Sequence, residues 1–215
     1  MPESNRFLSP DSRVYTSEID ALAEKIRAAG FACLRCGSCC KSEAGDSGIV
    51  MVGPDEIRAI MLQSGHSWKD IAEPYPEVIN GRCGETFTIG WVLRRHHGRC
   101  RFSFPGRCEI YETRPWICGT FPFMLNWDGL VVSSCPGVGK PISMGDARRL
   151  AEDLIKRRLF EEQESELVKQ QIKACTIPSG SLVVIDIDGL KTGDGTCYRR
   201  SMASGVLCPK NCDIF

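Results

Sequence analysis

The sequence predicts an α+β fold: a small, irregular core of short strands and helices, followed by a long helix and a cysteine-containing C-terminal extension. The apolar runs before residue 142 are short, and they alternate between strand-like and helix-like periodicity. A charged pattern of helical period then runs from Met144 to Lys173. Finally, the 215-residue chain contains 13 cysteines, many of them clustered, which packing alone does not require. Ligation by cysteine would stabilise so irregular a core, so we expect the core to be metal-stabilised.

The same features predict three parts in the chain. Residues 16–142 are expected to form a cysteine-cluster, metal-binding domain. Residues 143–175 are expected to form the long helix, and residues 176–215 a C-terminal extension with room for a further metal site.

The first half of the chain carries clear helix signals. A helix is predicted from Thr16, with Ser17 as its cap and Gly30 as its end. After a short strand at 49–52, Pro54 predicts the first position of a second helix. A third, short helix is predicted to begin at Ser67.

The second half carries strand and turn signals. β-branched and aromatic residues predict one strand over 86–93, and little regular structure is expected over 100–118. The segment Asn126-Trp127-Asp128-Gly129 lies between two apolar runs and predicts a hairpin. A last strand is predicted over 182–187.

Composition restricts the class of protein and its compartment. The 27 basic and 27 acidic residues cancel, which argues against a nucleic-acid or anionic-membrane binder. No apolar run is long enough for membrane insertion, and residues 1–24 lack the apolar stretch of a signal peptide. We therefore expect a cytoplasmic protein, in which a reducing environment favours metal ligation by cysteine over disulfides.

The most informative stretch runs from Cys33 to Cys40, where four cysteines occur in eight residues. A two-residue spacing lets a tight turn point two sulfurs at one centre, and amides in the turn can donate to the thiolates. Gly37 suits such a turn because it adopts positive φ without a Cβ clash. These cysteines, Cys33, Cys36, Cys39 and Cys40, are therefore predicted metal ligands.

Four further cysteines follow at wider spacing: Cys100, Cys108, Cys118 and Cys135. The text around them is specific, with Cys-Glu-Ile-Tyr-Glu-Thr-Arg-Pro at 108–115 and Phe-Pro-Phe at 121–123. With the first four cysteines, these segments resemble the CxxCxxCC, or YkgJ-like, cysteine-cluster family over roughly residues 30–137. The resemblance implies a zinc- or iron-chelating domain, often labelled iron–sulfur-containing, with all eight cysteines as ligands. A longer class of relatives acts as flagellin lysine methylase, but this chain lacks most of that length.

Eight thiolates suffice for two four-coordinate centres. Neighbouring side chains of an extended backbone point to opposite faces, so Cys39 and Cys40 are expected to serve different centres. One would join Cys33 and Cys36, and the other would join the later cysteines. The sequence is equally compatible with a single [4Fe–4S] cluster and supporting thiols. A disulfide between Cys39 and Cys40 is the alternative without a metal.

The spacing favours iron–sulfur over zinc. Zinc sites usually pair two close knuckles, and the core has only one. Cysteines 33, 36 and 39 instead follow the successive two-residue spacing of a bacterial ferredoxin run, whose fourth ligand comes from elsewhere. Zinc remains the alternative.

Other residues suggest supporting roles or further sites. Arg114 is expected to donate to a thiolate or to a carboxylate. His96 and His97 could complete a mixed zinc site, but we expect them to face solvent. A possible second module would draw its ligands from the remaining cysteines, which are Cys83, Cys175, Cys197, Cys208 and Cys212.

Three functions are compatible with these features. The first is an iron–sulfur protein without catalysis of its own, which transfers electrons to, or senses oxygen for, a larger redox or methyl-transfer complex. The second is a zinc-stapled protein-interaction module. The third, a methylase-like or redox enzyme, ranks last because the sequence reveals no paired carboxylates or general base.

Overall fold

The computed structural model describes residues 12–41, 48–81, 84–104, 107–175, 177–178 and 180–198. It has an α+β fold, as the sequence predicts, with several small sheets of short strands. Its α-helices are α1 (Ser12–Ala29), α2 (Pro54–Ser64), α3 (Trp68–Ile71), α4 (Trp116–Thr120) and α5 (Met144–Ala174). Two 3₁₀ turns cover Ser38–Cys40 and Tyr111–Thr113.

The strands are all between two and five residues long. In chain order they are β1 (Met51–Val52), β2 (Ala72–Pro74), β3 (Ile79–Asn80), β4 (Thr86–Ile89), β5 (Trp91–Leu93), β6 (Arg95–His96), β7 (Arg99–Cys100), β8 (Ser103–Phe104), β9 (Arg107–Cys108), β10 (Phe123–Asn126), β11 (Gly129–Val132), β12 (Leu182–Asp186) and β13 (Gly189–Lys191).

The chain divides into two compact units. The first takes in the described chain up to Leu34 together with Thr120–Arg158. The second takes in Arg35–Gly119 and the described chain from Leu159 onward. Helix α5 begins in the first unit and ends in the second.

The first unit is built on α1, whose buried residues Ile19, Leu22, Ala23 and Ile26 follow helical spacing. The helix begins at Ser12, so the predicted start at Thr16 and the predicted cap at Ser17 are wrong. No Gly or Pro interrupts residues 13–16, and the helix therefore extends through them. Gly30, at φ +65°, ends it as predicted. The predicted hairpin is confirmed as β10–β11, and its Phe123 packs edge-on against Phe31.

The second unit contains two larger sheets, one of three strands and one of four. One sheet has the order β1-β5-β2, and the other has the order β13-β12-β4-β3. Strands β12 and β4 pair in parallel, with Leu182 opposite Thr86, while the other strand pairs are antiparallel. A hydrophobic cluster that includes Ile57, Trp91 and Phe102 forms the core.

Two predictions for this unit need correction. The single strand predicted over 86–93 is broken at Gly90, whose φ of +77° turns the chain from β4 into β5 of a different sheet. Residues 100–118, where only a turn near 112–115 was expected, also contain the hairpin β8–β9 and the start of α4. Regular structure extends to the residues just before them. The hairpin β6–β7 closes through His97 and Gly98, which both have positive φ, as a two-residue type I′ turn requires.

A buried charged network also stabilises the second unit. Lys191 is fully buried and contacts Asp186 at 2.9 Å and Asp188 at 2.5 Å. Trp91 donates its indole N–H to Asp186 at 2.7 Å, and Arg58 contacts Asp188 at 2.8 Å. Each buried charge is thus paired, which is the condition for keeping it in a core.

Among the helices of the described residues, none is both long and apolar enough to cross a membrane.

Candidate metal centre

The turn that carries the first cysteines is set by Gly37. Its φ of 72° places the chain in the left-handed region, and the 3₁₀ turn Ser38–Cys40 follows directly. The amide of Cys40 donates to the carbonyl of Gly37 at 3.1 Å. Cys36 and Cys39 are exposed in this turn, whereas Cys40 is half-buried. The turn therefore directs Cys40 into the second unit and leaves the other two at its surface.

Two adjacent hairpins carry the next cysteines. In β6–β7 Cys100 lies opposite Arg95, and in β8–β9 Cys108 lies opposite Ser103. Both thiols are half-buried and pack against the hydrophobic cluster. The bridge between Lys41 and Arg99 joins the Cys40 segment to the edge of β7. The neighbours of Cys40 and Cys100 in the chain are thereby paired.

Helix α4 supplies another thiol, that of the half-buried Cys118. The carboxylate of Glu56 anchors the start of this helix, because its two oxygens accept from the Trp116 amide at 2.7 Å and the Gly53 amide at 2.8 Å. One side chain thus ties the first turn of α2 to the first turn of α4, and carboxylates are favourable at both helix N-termini.

Electrostatics identify four of these thiols as neighbours. Burial, together with the negative charge of Cys100, Cys40 and Cys108, raises the pKa of Cys118 to about 12. Burial likewise raises the pKa of Cys100 to about 11, with contributions from the charges of Cys40 and Cys108. The four sulfurs are therefore close enough to feel one another's charge. We call Cys40, Cys100, Cys108 and Cys118 the four-thiol group.

Cys40 differs from the other members of this group. A hydrogen bond from Cys39 lowers the pKa of Cys40 to about 6, and a hydrogen bond from Ser103 and the charge of Arg95 act in the same direction, while burial opposes them. Hydrogen bonds to the thiolate form have this effect because they stabilise the charge. Cys40 is thus a thiolate at neutral pH.

Cys36 has a lowered pKa for a related reason. Its sulfur lies 3.4 Å from the hydroxyl oxygen of Ser38, and donation from that hydroxyl to the thiolate is the largest cause of the shift. The turn around Gly37 therefore stabilises thiolates at its surface as well as at Cys40.

Arginines surround the four-thiol group. Arg95 donates to the backbone carbonyls of Gly48, Gly98 and Cys40. Arg114, predicted to donate to a thiolate or a carboxylate, stacks over Tyr111 with its Cζ 4.0 Å from the ring centroid. Its charge also lowers the pKa of Cys108, against the larger opposing effect of burial. Positive charge near several thiols favours their deprotonated, metal-binding form.

The other predicted ligands lie elsewhere. Cys33 is exposed and Cys135 half-buried, and both belong to the first unit. The amide of Ala32 donates to the carbonyl of Gly137 at 3.0 Å, which brings the segments that carry these two cysteines side by side. The Gly137 amide also donates to the sulfur of Cys135 at 3.4 Å. His96 and His97 are exposed, as predicted.

The residues of the predicted second module are only partly described. Cys175 is buried, and its thiol donates to the side-chain oxygen of Gln171 at 3.7 Å. Cys197 is disulfide-bonded, so its sulfur could ligate a metal only after reduction. Cys83, Cys208 and Cys212 lie outside the described residues. This module stays a prediction.

The donor set fits a thiophilic metal. Soft thiolate ligands select zinc and iron–sulfur clusters over magnesium or calcium. Across the described ranges, no three His, Cys, Asp or Glu side chains already converge at the separation that holds a metal ion. The assignment of individual ligands, from Cys33 to Cys135, accordingly stays a prediction.

Sequence reasoning did not find three polar residues at the site. They are Ser38, Arg95 and Ser103, which act on Cys36 and Cys40 by hydrogen bonding or charge. For Arg95 the signal was Gly98, because the turn at this glycine sets the hairpin register that places Arg95 opposite Cys100. Gly98 gives no such signal for Ser103. For Ser38 the signal was its position two residues after Cys36.

A comparison with known families agrees with this chemistry. A family model named CxxCxxCC, described as "Putative zinc- or iron-chelating domain", matches residues 32–136. No curated protein and no solved structure gives a significant match. The matched range contains the eight cysteines from Cys33 to Cys135 that the resemblance implied, and it includes the whole four-thiol group. Over residues 32–136 the chain is therefore similar to the CxxCxxCC family, and this match confirms the resemblance that the cysteine spacing carries.

Proposed function

We propose that this protein binds an iron–sulfur cluster and that the four-thiol group provides its ligands. The observation that supports this is the mutual electrostatic effect of four thiols from four separate elements. In the metal-free protein burial and mutual repulsion keep Cys100 and Cys118 protonated. A bound cationic centre would remove the free-energy costs of burying the thiolates and of their mutual repulsion, because it neutralises the thiolate charge where water cannot.

The spacing of the ligands supports iron–sulfur over zinc. Cys100, Cys108 and Cys118 come from a strand, a second strand and a helix, and none of them forms a close pair with another in the sequence. Structural zinc sites are usually built from two such close pairs. Iron–sulfur clusters accept ligands that are dispersed along the chain.

The exposure of the group supports a role in electron transfer or oxygen response. All four thiols are half-buried, so a cluster they bind would lie near the protein surface. A centre in that position can exchange electrons with a partner protein and can be reached by oxygen. The partner we propose is a larger redox or methyl-transfer complex, which this protein would assist without catalysis of its own.

Anaerobic purification tests the proposal. The protein should be brown, absorb near ~400 nm, and contain iron and sulfide in cluster ratio. Cys118→Ser should lower the iron content sharply. Cys175→Ser is the matched control, since Cys175 is a buried cysteine of the same unit that lies outside the four-thiol group. Stoichiometric zinc in colourless, folded protein would refute the iron–sulfur proposal.

A second candidate is a zinc-stapled interaction module. The family description names zinc beside iron, and the turn at Gly37 has the positive φ and amide arrangement of a metal knuckle. In this case a zinc chelator should unfold the domain under oxygen-free conditions, and no sulfide should be released.

A further inference from the structure

We propose that Arg95 is a positioning residue of the metal centre, with its Nε–H donating to a sulfur of the bound centre. This inference rests on the proposed metal site at the four-thiol group, and it assigns Arg95 a role toward that site.

The guanidinium of Arg95 is held in one place by its terminal nitrogens. One of them donates to the carbonyl of Gly48, and the other donates to the carbonyls of Gly98 at 2.7 Å and Cys40 at 3.4 Å. Three backbone segments, including that of a candidate ligand, are therefore tied to one side chain. Its fork of donors can do this because the guanidinium is planar and always charged.

The remaining donor of Arg95 is its Nε–H. Its Nε is buried, and it has no hydrogen-bond partner among the described residues. Native proteins rarely leave a buried N–H without an acceptor, since such a group loses its bonds to water without replacement. We infer that the acceptor is one that the metal-free chain does not offer.

Two candidate ligands are neighbours of the Arg95 side chain. Arg95 is paired with Cys100 in the β6–β7 register, and its terminal nitrogen reaches the carbonyl of Cys40. A thiol is a weak acceptor, whereas a metal-bound thiolate or bridging sulfide carries negative charge and accepts a charge-assisted hydrogen bond. Hydrogen bonds to such sulfurs orient the ligands and tune the centre.

Other orphan donors of the described chain do not share this setting. Trp68 Nε1 and Arg94 Nε are also buried without a partner. Trp68 belongs to the hydrophobic cluster, and Arg94 pairs with Glu73 at 3.6 Å. Arg95 is the orphan donor that also bonds to a backbone group of a candidate ligand.

Three variants separate the specific donor from the general charge. Arg95→Lys keeps the positive charge but has no Nε–H at that position, and Arg95→Gln removes both. Arg99→Gln removes an exposed arginine from the other strand of the same hairpin and serves as the control. Thermal unfolding of each metal-free variant shows whether the substitution acts on the fold.

The measurement is the rate at which a chelator removes metal from anaerobically loaded protein. Loss of a hydrogen bond to a ligand costs about 10–100-fold in metal affinity, so Arg95→Lys and Arg95→Gln should release metal at least about tenfold faster than wild type. Arg99→Gln should stay within about twofold. If Arg95→Gln does not fold, Arg95→Lys decides the question alone.

A direct test of the hydrogen bond is the NMR spectrum of cadmium-loaded protein with ¹⁵N-labelled arginine. Loading should shift one arginine Hε resonance, which Arg95→Lys removes. Release from Arg95→Lys at the wild-type rate, or release from Arg99→Gln as fast as from Arg95→Gln, would overturn the inference while the metal site stands. Wild-type protein that retains no metal would overturn the proposed function, and this inference with it.

Discussion

The exposed thiols of the Gly37 turn and the half-buried thiols of the hairpins and α4 have opposite properties. Cys36 is exposed, and the hydroxyl of Ser38 lowers its pKa. Cys100 and Cys118 are half-buried, and burial raises their pKa values to about 11 and about 12. Local donors thus lower the pKa of a cysteine thiol in one region, and burial raises it in the other.

Cys40 joins these two regions. It belongs to the turn by sequence and to the four-thiol group by position, and a hydrogen bond from Cys39 lowers its pKa to about 6. Only thiolates bind metal, so Cys40 is ready to accept it at neutral pH while Cys100 and Cys118 must first lose protons. We therefore propose that, if the four-thiol group binds a metal, Cys40 makes the first contact with it.

The largest expected effect separates the two adjacent cysteines. Cys40→Ser should weaken metal binding at the four-thiol group by more than about 100-fold, because the loss of a ligand costs more than the loss of a supporting residue. Cys39→Ser is the matched control and should leave binding there largely intact. The measurement is protection of Cys118 from alkylation in metal-loaded protein, read by mass spectrometry.

Equal loss of Cys118 protection in both variants would contradict the distinction between Cys39 and Cys40, because it would mean that the turn acts as one ligand unit. Greater loss of Cys118 protection in Cys39→Ser than in Cys40→Ser would mean that Cys39, and not Cys40, belongs to the four-thiol group.

A smaller effect concerns alkylation of the metal-free protein at pH 7. Cys40 is about 90% ionised there, whereas Cys100 is ionised to only about 1 part in 10,000. The more basic thiolate of Cys100 is intrinsically more nucleophilic, which recovers part of the difference. Cys40 should therefore react with iodoacetamide about 100-fold faster than Cys100, as measured by quantitative peptide mapping.

The two rates should also respond differently to pH. A thiolate fraction grows only as pH rises toward the pKa, so the rate at Cys100 should climb about tenfold per pH unit between pH 7 and pH 9. Because pH 7 already lies above the Cys40 pKa of about 6, the alkylation rate at Cys40 should change by less than about twofold over the same pH range. Parallel pH profiles would contradict the assigned difference between these thiols.

Much of this arrangement followed from local sequence. Gly37 predicted the tight turn, Pro54 the start of α2, and Asn126-Trp127-Asp128-Gly129 the hairpin, because each depends on the backbone preferences of a few residues. The family was likewise readable from its cysteine spacing and is confirmed by the match to residues 32–136.

What the sequence did not predict depends on long-range pairing. The break at Gly90 separates two strands because Ile185, far along the chain, accepts the Gly90 amide at 3.0 Å. Which of Cys39 and Cys40 joins the later cysteines depends on the bridge between Lys41 and Arg99. The prediction that Cys39 and Cys40 point to opposite faces assumed an extended backbone, and this assumption is wrong. Both residues lie in the 3₁₀ turn Ser38–Cys40, where a side-chain hydrogen bond joins them.

The smallest effect tests the turn itself. Gly37, at φ 72°, has no atom within 4 Å of the position its Cβ would occupy, so Gly37→Ala adds backbone strain without a clash. Left-handed backbone costs a residue with a Cβ about 1–2 kcal/mol, or about 5- to 30-fold in an equilibrium. Gly65→Ala is the control, since Gly65 ends α2 at φ 71° and is equally open.

Titration with metal should show weaker binding for Gly37→Ala alone, whereas Gly65→Ala should lower the free energy of unfolding by a similar amount and leave metal affinity unchanged. Equal affinity in all three proteins would mean that the turn does not position Cys40, and the distinction between the two thiol regions would then rest on the hairpins and α4.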